Sequence, residues 1–415
     1  MLTDRGRLVL ALGGATYLAA WAFGARPLYP VALGLVLAVA AAAVWVRVLR
    51  RPMRLRHTVW SGEHLAGDDV RMGIELDVQG WTPPASLVAV ERVARLGEYE
   101  APLARAGSLL RGGYVLRAVP RGRYAIESSR IVVEDPFGLE RDDVELSRPE
   151  AVLVYPRLVD VDRLFTDSGG RTPGGRRLLL RRTAGFELHS VREYEQGESL
   201  RRVHWPSTAR RDELMVKELE DAPRDETAVL LDADAGSVVG AAPDSTFELA
   251  VRIAGSIVKA HARRGRRTSL VVNSRLRTYQ RVHSFDGDWQ RALELLAAVQ
   301  PDGHLAASTF LADEAGPAAR ALELTLVTAA LGPRLVDRLL QRTLAHHGAS
   351  LVYVDPTSFV EAPPGRPREV SAQLLRLERA GVPVLVVRRG DDLAAALAGE
   401  GDGDVAALAG GSTRG

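Results

Sequence analysis

Residues 227–234 read TAVLLDAD, a short apolar run that ends in two aspartates. An apolar run of this length is typical of a strand that is buried on both faces of a sheet. Further apolar runs alternate with helical patterns along the rest of the chain. Strands are predicted at Thr227–Leu231, Ser269–Asn273, Arg277–Val282, Leu322–Thr328, Leu351–Val354 and Val382–Val387, and helices at Phe247–Ala262, Trp289–Val299, Arg334–His346 and Val370–Ala380. This alternation predicts a mostly parallel, doubly wound α/β domain over residues 225–395.

Polar side chains stand where several of these strands end. Asp232 and Asp234 follow the first strand, Thr328 closes another, and Asp355 follows a third. In doubly wound sheets, ligands bind beyond the carboxyl ends of the strands, where the strand order reverses. We therefore expect any ligand site at this edge of the sheet. The first strand is followed by neither a G-x-G-x-x-G nor a Walker-type loop, which argues against a nucleotide.

Two apolar runs open the chain. Leu8–Gly24 reads LVLALGGATYLAAWAFG and Val31–Val46 reads VALGLVLAVAAAAVWV. Each run has about the length that crosses ~30 Å of hydrocarbon as a helix. They predict a transmembrane helical hairpin within residues 1–56, with spans at about 8–24 and 30–46. A cleaved signal peptide with one span, or a buried soluble helix pair, is the alternative; the close second run and the lack of a polar face favour the hairpin.

The arginines around these runs are unevenly distributed. Arg5 and Arg7 precede the first run, and the joining segment holds only Arg26. After the second run come Arg47, Arg50, Arg51, Arg54 and Arg56. The positive-inside bias therefore predicts a two-span membrane protein whose termini and large soluble portion are cytoplasmic.

Residues 57–160 have the pattern of a small β domain. Val70–Val78 alternates apolar and polar residues, which is typical of a strand with one buried face. Further short strands are predicted at Leu87–Val93, Tyr114–Ala118, Arg123–Ile126 and Arg130–Val133. Such a series predicts a β-sandwich-like domain.

The segment DPFGL, Asp135 to Leu139, has the side chains of a type I turn. Asp accepts hydrogen bonds from the amides of the turn, Pro136 fixes φ, and Gly138 closes it. We expect Phe137 and Leu139 to pack into a core and the turn to carry no chemistry.

Composition limits the function classes. The 415 residues carry a formal net charge of +2, from 54 basic and 52 acidic side chains, which argues against a dedicated nucleic-acid binder. The chain has no cysteine, so disulfides, thiolate catalysis and Cys-ligated metal sites are excluded. Residues 161–224 are predicted to hold a linker, flexible at Asp167–Arg177, and residues 396–415 a disordered tail.

Residues 192–211, REYEQGESLRRVHWPSTARR, carry the densest motif of the chain. Together with RGRYAIESSRIVVEDPFGLERDD and VLVYP upstream, the motif resembles the bacterial domain of unknown function 58 (DUF58) family. The matching positions are Arg192, Tyr194, Gly197, Arg201, His204, Trp205, Ala209 and Arg210, with Asp135, Pro136, Phe137 and Gly138 in the upstream turn. Glu198 stands where the family usually has Asp.

The resemblance implies an architecture more than an activity. It implies that the C-terminal part is similar to a von Willebrand factor A domain. It also implies partners, since such proteins are often encoded beside MoxR-type AAA+ ATPases and membrane-bound transglutaminase-like proteins. The family carries no assigned enzymatic activity. We therefore expect a non-enzymatic, membrane-anchored adaptor that works through protein–protein interaction in envelope or complex assembly.

The resemblance also suggests where a metal would bind. A von Willebrand factor A domain binds Mg²⁺ through Asp-x-Ser-x-Ser after its first strand, because a hard cation takes hydroxyl and carboxylate oxygens. Here Asp232, Asp234 and Gly236 stand at those positions, and Ser237 follows. We expect a degenerate site formed by Asp232, Asp234 and Ser237, and no resident cofactor. Mg²⁺ is the alternative.

Three interpretations of the 192–211 motif compete. The basic stretch at residues 171–211 suggests binding of an anionic polymer, but interleaved glutamates would repel phosphate. Glu198 and His204 suggest an acid–base pair in a membrane-associated hydrolase or transferase, although no nucleophile or metal-ligand spacing accompanies them. We favour a structural role, in which arginines of the motif pair with carboxylates and Trp205 inserts as an apolar anchor. A short helix is expected to follow and to end near Arg211. The motif then either connects domains or forms a docking surface.

Overall fold

A computed structural model describes most of the chain. The described residues are 1–48, 52–59, 63–78, 85–146, 150–168, 187–193, 205–211, 213–220, 227–313, 316–361 and 367–400. They form two compact units, one of Met1–Arg157 with Leu293–Val299 and one of Leu158–Ala292 with Gln300–Gly415.

The first unit begins with two helices, α1 (Asp4–Phe23) and α2 (Leu28–Val48). The side chain of Thr3 caps α1, and Gly24, at φ 65°, ends it in the left-handed conformation that glycine adopts without strain. Both helices are long and apolar enough to cross a membrane, by length and composition. The first helix starts earlier than the predicted span, because the Thr3 cap brings Arg5 and Arg7 into its first turns.

The strands described in the first unit form two antiparallel sheets. They are β1 (Met53–Val59), β2 (Val70–Val78), β3 (Ser86–Val93), β4 (Gly97–Pro102), β5 (Ala104–Ala106), β6 (Leu109–Leu116), β7 (Gly122–Glu134), β8 (Arg141–Glu145) and β9 (Glu150–Val154). One sheet has the order β1-β2-β6-β5 and the other β4-β3-β7-β8, with β9 paired to β7. Side chains of both sheets share one core, which confirms a sandwich-like arrangement.

The alternating pattern explains the packing of β2. Val70, Met72, Ile74 and Leu76 are buried, and they lie on the face opposite Arg71 and Glu75. The predicted bounds of this strand are confirmed. Trp45, near the end of α2, is partly buried against the same core.

One strand of the sandwich differs from the prediction. The two short strands expected at Arg123–Ile126 and Arg130–Val133 are a single strand, β7, of 13 residues. The polar residues between them do not form a turn, because they stay paired with β3 across a register shift at Arg92/Val93. The hydroxyl of Ser129 donates to the buried Glu91, which keeps this polar segment inside the sheet.

The motif region contributes a separate two-stranded ribbon in the second unit. It consists of β10 (Glu187–Glu193) and β11 (Met215–Glu220), with the short helix α3 (Trp205–Arg211) between them along the chain. The backbone amide of Met215 donates to the Thr208 hydroxyl at 3.1 Å, so α3 is tied to the start of β11. The short helix expected at this point is confirmed.

The rest of the described chain, which belongs to the second unit except for Leu293–Val299, is built on a six-stranded sheet. Its elements are β12 (Thr227–Leu231), β13 (Gly240–Ala241), β14 (Asp244–Ser245), α4 (Thr246–Arg263), β15 (Thr268–Val272), β16 (Tyr279–Val282), α5 (Gly287–Ala298), α6 (Ala307–Phe310), α7 (Pro317–Arg320), β17 (Glu323–Thr328), α8 (Pro333–Leu344), β18 (Gly348–Val354), α9 (Arg368–Arg379), β19 (Val384–Val387) and α10 (Leu393–Ala398). The strand order is β16-β15-β12-β17-β18-β19. Among the described strands of this sheet only β16 is antiparallel to its neighbour, so the predicted mostly parallel sheet is confirmed.

Helices cover both faces of this sheet. Ala228 and Leu230 of β12 belong to a core that includes residues of α8 and α9. The alternate residues, Val229 and Leu231, are also fully buried and point to the other face, where α4 packs against β12. Burial on both faces explains why β12 reads as a continuous apolar run.

The end of the described chain corrects one expectation. The disordered tail was expected from residue 396, but Ala396, Leu397 and Ala398 are the last residues of α10. Asp392 caps this helix by accepting from two amides, and Leu393 and Leu397 are buried. Residues 401–415 lie outside the described residues.

Candidate functional site

The carboxyl edge of the parallel sheet brings three polar side chains together. The chain runs from β12 through α4 to β15 on one side, and later returns to β17 on the other side of β12. The strand order therefore reverses at β12, which is where ligand sites form in such sheets. Asp232 follows β12, Asn273 follows β15 and Thr328 ends β17.

Asp232 accepts hydrogen bonds on both carboxylate oxygens. The Thr328 hydroxyl donates to Oδ2 at 2.6 Å, and the Asn273 side-chain amide donates to Oδ1 at 2.7 Å. The backbone amide of Asp234 adds a third donor to Oδ1, at 3.2 Å. Asn273 in turn accepts from the amide of Ala233, so its orientation is fixed from both ends. We name Asp232, Asn273 and Thr328 the edge triad.

Burial dominates the electrostatics of the edge triad. Asp232 is only 4% exposed, and this burial raises the pKa of its carboxyl group. The hydrogen bonds from Thr328 and Asn273 act in the opposite direction but are weaker. A carboxylate surrounded by donors in this way holds the ends of three strands in fixed positions.

The other predicted metal ligands lie in the loop after β12. Asp234 Oδ1 accepts from the amide of Gly236 at 3.2 Å, and the Ser237 hydroxyl donates to the Asp234 carbonyl at 2.8 Å. Asp232, Asp234 and Ser237 therefore each take part in a hydrogen bond within this loop. Among the residues that the structure describes, no group of three or more His, Cys, Asp and Glu is placed to hold a metal. The degenerate Mg²⁺ site stays a prediction.

Close backbone packing also shapes this loop. Gly303 accepts from the Ala235 amide at 3.0 Å and donates to the Ala233 carbonyl at 2.9 Å. A Cβ at position 303 would lie 2.8 Å from the Ala233 oxygen, so only glycine fits between these backbone segments.

Asp355, the remaining predicted edge residue, has different partners. Its carboxylate accepts from the Thr357 hydroxyl at 2.7 Å and lies 3.8 Å from Arg388 Nε. It caps the short 3-10 turn Pro356–Phe359 after β18. The sequence therefore predicted the right edge for all of these residues, but Asp355 forms a group of its own.

Asn273 was missed as a site residue. The signal was available, because it directly follows the buried run of β15, as Asp232 follows β12. An amide at the end of a buried strand has to find partners, since burial without hydrogen bonds is costly.

The 192–211 motif is only partly described. Arg192 lies in β10, paired in register with Val216, and Ala209 and Arg210 lie in α3. Tyr194, Gly197, Glu198, Arg201 and His204 lie outside the described residues. The acid–base, polymer-binding and structural interpretations therefore all stay predictions.

The structure corrects one part of the structural interpretation. Trp205 was expected to insert as an apolar anchor, but its side chain is 66% exposed. It is the first residue of α3, a helix of 7 residues. An exposed tryptophan is instead typical of a surface that binds another protein.

The Asp135–Gly138 turn is a second organised feature, in the first unit. Asp135 is 2% exposed and accepts from the amides of Phe137, Leu139 and Glu140 at 2.9, 2.7 and 2.6 Å. The Gly138 amide donates to the Asp135 carbonyl at 3.0 Å, which closes the predicted turn. Leu139 is buried as expected, whereas the expectation for Phe137 is wrong, because its ring is 78% exposed. Three amides directed at Asp135 force the tip of the turn outward.

A buried charge cluster inside the sandwich was not anticipated. His57 Nε2 lies 2.5 Å from Glu91 Oε1, and His57 Nδ1 lies 2.7 Å from Glu150 Oε2. Glu91, fully buried, also accepts from the hydroxyls of Tyr114 at 2.7 Å and Ser129 at 3.0 Å. We name these five residues the sandwich charge cluster.

The cluster shifts the pKa values of its members. Burial alone would lower the pKa of His57, but the Glu91 and Glu150 carboxylates outweigh it and raise that pKa. Burial alone would raise the pKa of Glu91, but His57 and the two hydroxyls outweigh it and lower that pKa. Both groups are therefore held in their charged forms.

The sequence did contain a signal for this cluster. Glu91 lies at a core-facing position of β3, in step with Leu87, Ala89 and Val93. A glutamate in phase with core residues needs a buried partner, and His57 occupies the equivalent phase in β1, after Met53 and Leu55.

Comparisons with known proteins support the resemblance drawn from the motifs. Residues 190–353 match the family model described as "Protein of unknown function DUF58", which confirms the predicted family over these residues. The chain is also similar to "Uncharacterized protein YeaD" of Bacillus subtilis (strain 168), with 24% identity over 225 residues, which are 52% of this chain and 53% of that protein. The chain thus spans about half the length of this curated relative.

A solved structure, Cwp6 from Clostridium difficile, is similar at a low level. It has 8% sequence identity and a TM-score of 0.19, and the match covers 80% of this chain and 45% of that chain. At this TM-score the likeness carries no argument about the fold.

Proposed function

Because residues 190–353 carry the DUF58 region, we propose that this chain is a non-enzymatic, membrane-anchored adaptor. In this proposal, α1 and α2 span the bacterial cell membrane and the soluble portion lies in the cytoplasm. The α/β domain, of the von Willebrand factor A type, binds other proteins there. One such partner is a MoxR-type AAA+ ATPase, which acts on the complex during envelope or complex assembly.

The observation that carries the anchor is the apolar surface of the two helices. Their outward side chains are exposed, among them Leu8, Leu12, Leu18, Trp21, Phe23, Leu33, Leu37 and Val44. A contiguous exposed apolar surface of this size needs an apolar environment. A bilayer supplies one along the whole length of both helices.

The attachment of the helices to the sandwich supports a fixed anchor. Trp45 packs against the sandwich core, and Leu139 packs against Val39 and Ala42 of α2. These contacts pack α2 directly against the sandwich at two points. The arginines support the orientation, since Arg5, Arg7 and Arg47 lie at the end of the hairpin that carries the sandwich.

The geometry of the α/β domain supports a binding role over a catalytic one. The edge triad directs its polar atoms at one another, and Asp232 is nearly inaccessible. Such a network fixes the loops beyond the strands, and fixed loops make a specific surface for a partner. The von Willebrand factor A type itself rests on the family resemblance, and the mostly parallel sheet with polar strand ends supports it.

The ATPase partner rests on the family resemblance, as does a transglutaminase-like membrane protein as a second partner. Exposed Trp205, within the family motif, is the residue we assign to the docking surface. Tryptophans of this kind contribute a large share of the binding energy of protein interfaces.

Affinity purification from native membranes tests this function. The full chain, solubilised in mild detergent, is expected to recover an AAA+ ATPase in a nucleotide-dependent manner, identified by mass spectrometry. Trp205→Ala should lower the recovery, whereas Leu276→Ala, a change at another exposed apolar residue of the same unit, should not. Recovery of no AAA+ protein in any nucleotide state would contradict the proposal.

A further inference from the structure

Phe137 is a large apolar side chain with an unusual setting. Its ring is 78% exposed, yet the turn that carries it is rigid. Asp135 accepts from three amides of the turn, and Gly138 adopts a φ of 66°, which favours glycine. An exposed aromatic ring held on a fixed turn costs little conformational entropy on binding, because the backbone is already ordered.

The turn is seated directly on the apolar hairpin. The Thr3 hydroxyl donates to the Gly138 carbonyl at 2.6 Å, and the Thr3 amide donates to the Leu139 carbonyl at 3.0 Å. A Cβ added to Gly6 would lie 2.2 Å from that Leu139 oxygen, so the turn approaches α1 as closely as a glycine allows. The side chain of Leu139 is buried against α2.

The length of α1 places this contact at the membrane boundary. From Gly6 to Phe23 the helix rises about 26 Å at 1.5 Å per residue. The hydrocarbon core of a bilayer is ~30 Å thick. The part of α1 beyond Gly6 is therefore too short to fill it, and tilting the helix shortens its reach further. With Phe23 at the far boundary of the hydrocarbon, the near boundary falls close to Gly6 and therefore close to the turn.

Basic side chains of α1 lie at the same level. Arg5 reaches the turn, with Nη1 3.5 Å from the position of a Cβ on Gly138, and Arg7, beside Gly6, is exposed. Cationic side chains beside an exposed aromatic ring match the headgroup layer of a membrane with anionic lipids.

We propose that Phe137 inserts into the interfacial layer of the bilayer and forms a third membrane contact beside the two helices. The occupant of this apolar surface is phospholipid. The contact fixes the tilt of the sandwich on the membrane, because the turn is rigid and joined to both helices. This inference rests on the proposed anchor, and its test separates the two.

The chain has no cysteine, so one introduced cysteine labels one position. Three variants of the full chain, Phe137→Cys, Leu18→Cys and Leu344→Cys, carry an environment-sensitive fluorophore and are reconstituted in vesicles of phosphatidylglycerol and phosphatidylethanolamine. Leu18 is 64% exposed on α1 and reports on the anchor, and Leu344, 80% exposed in the second unit, is the matched exposed leucine. Quenching by doxyl groups on the lipid chains and by aqueous iodide is measured for each.

We expect the label at 137 to be quenched by lipid-bound doxyl near the headgroup and protected from iodide, with the label at 344 behaving in the opposite way. A label at 137 that iodide quenches as strongly as the label at 344, while the label at 18 is quenched by lipid, would overturn this inference and leave the anchor intact. That result would point to a soluble protein as the occupant. A label at 18 that lipid does not quench would overturn the anchor and the inference together.

Discussion

Buried polar residues form hydrogen-bonded groups at two places in the molecule, inside the sandwich and at the carboxyl edge of the parallel sheet. In the sandwich, His57 and Glu91 are held charged by each other and by neighbouring hydroxyls. At the sheet edge, Asp232 is held by Thr328 and Asn273. Removing one member of such a pair is costly, because the partner stays buried without its hydrogen bond.

At the residue scale, His57→Ala should destabilise the protein by about 3 to 5 kcal/mol near pH 6, since Glu91 is then buried without a counter-charge. Because the pKa of His57 is raised in the folded state, the stabilisation that its charge gives is fully present below its ordinary pKa of 6.5. That stabilisation is lost as pH rises through the folded-state pKa. Because the pKa of Glu91 is lowered in the folded state, the stabilisation that its charge gives is fully present above its ordinary pKa of 4.5. That stabilisation is lost as pH falls through the folded-state pKa.

The difference between wild type and His57→Ala should therefore be largest between pH 4.5 and 6.5. Thermal unfolding of the full chain in detergent, measured across pH, provides the test. His304→Ala, at an exposed histidine, is the control and should have little effect. A His57→Ala deficit that does not change with pH would contradict the assignment.

Thr328→Val should cost about 1 to 3 kcal/mol, because it removes the donor to a buried carboxylate oxygen. Burial already raises the pKa of Asp232 above its ordinary value of 3.8. The stability of the fold therefore falls as pH rises from 3.8 through the folded-state pKa of this group. The variant should enlarge this effect, and its deficit should be greater at pH 7 than at pH 4 in denaturant unfolding.

The same substitution on the same strand provides the control. The Thr325 hydroxyl accepts a hydrogen bond from the Ser350 hydroxyl at 2.9 Å, and Ser350 can donate to the Leu324 carbonyl instead. Thr325→Val should therefore cost less and show no such pH dependence. Equal, pH-independent losses in the two variants would mean that the Asp232 carboxylate has no special role.

At the scale of elements, the contact between α1 and the Asp135–Gly138 turn depends on one glycine. Gly6→Ala should displace the turn, because the added Cβ would lie 2.2 Å from the Leu139 carbonyl oxygen. The Arg141 amide, which donates to the Met1 carbonyl at 2.8 Å, should then exchange its hydrogen faster. Hydrogen–deuterium exchange of the peptide over residues 138–142 measures this.

Gly14→Ala is the matched control in the same helix, because nothing lies within 4 Å of a Cβ at that position. It should leave the exchange of residues 138–142 unchanged and favour the helix by about 0.5 to 1 kcal/mol. Unchanged exchange in Gly6→Ala as well would show that the turn is not held by this contact.

Strands and helices with a regular pattern were predictable, and the exceptions have local causes. The bounds of β2 and β12 follow directly from alternation and from continuous apolarity. The β7 strand was divided in the prediction, because a polar segment resembles a turn unless its buried partner, Glu91, is known. The α10 helix was missed because its six residues, LAAALA, are all apolar and give no periodic signal.

At the scale of the whole chain, the candidate site was predictable in position and only partly in detail. Strand ends predict where Asp232 and Thr328 lie, because parallel strands end at a common edge. Their pairing, and the exposure of Trp205 and Phe137, depend on contacts between residues far apart in the chain, which no local pattern encodes. The proposed membrane anchor rests on the composition of the two helices and on the packing of α2 against the sandwich.

The proposed adaptor requires the hairpin to cross the membrane with its loop outside and the α/β domain inside. Single cysteines at Pro27, between the helices, and at Leu276, exposed in the second unit, report on both sides. In intact cells, a membrane-impermeant maleimide should label Pro27→Cys at once and Leu276→Cys only after the membrane is opened. Labelling of Leu276→Cys in intact cells, or protection of Pro27→Cys until the membrane is opened, would contradict the account.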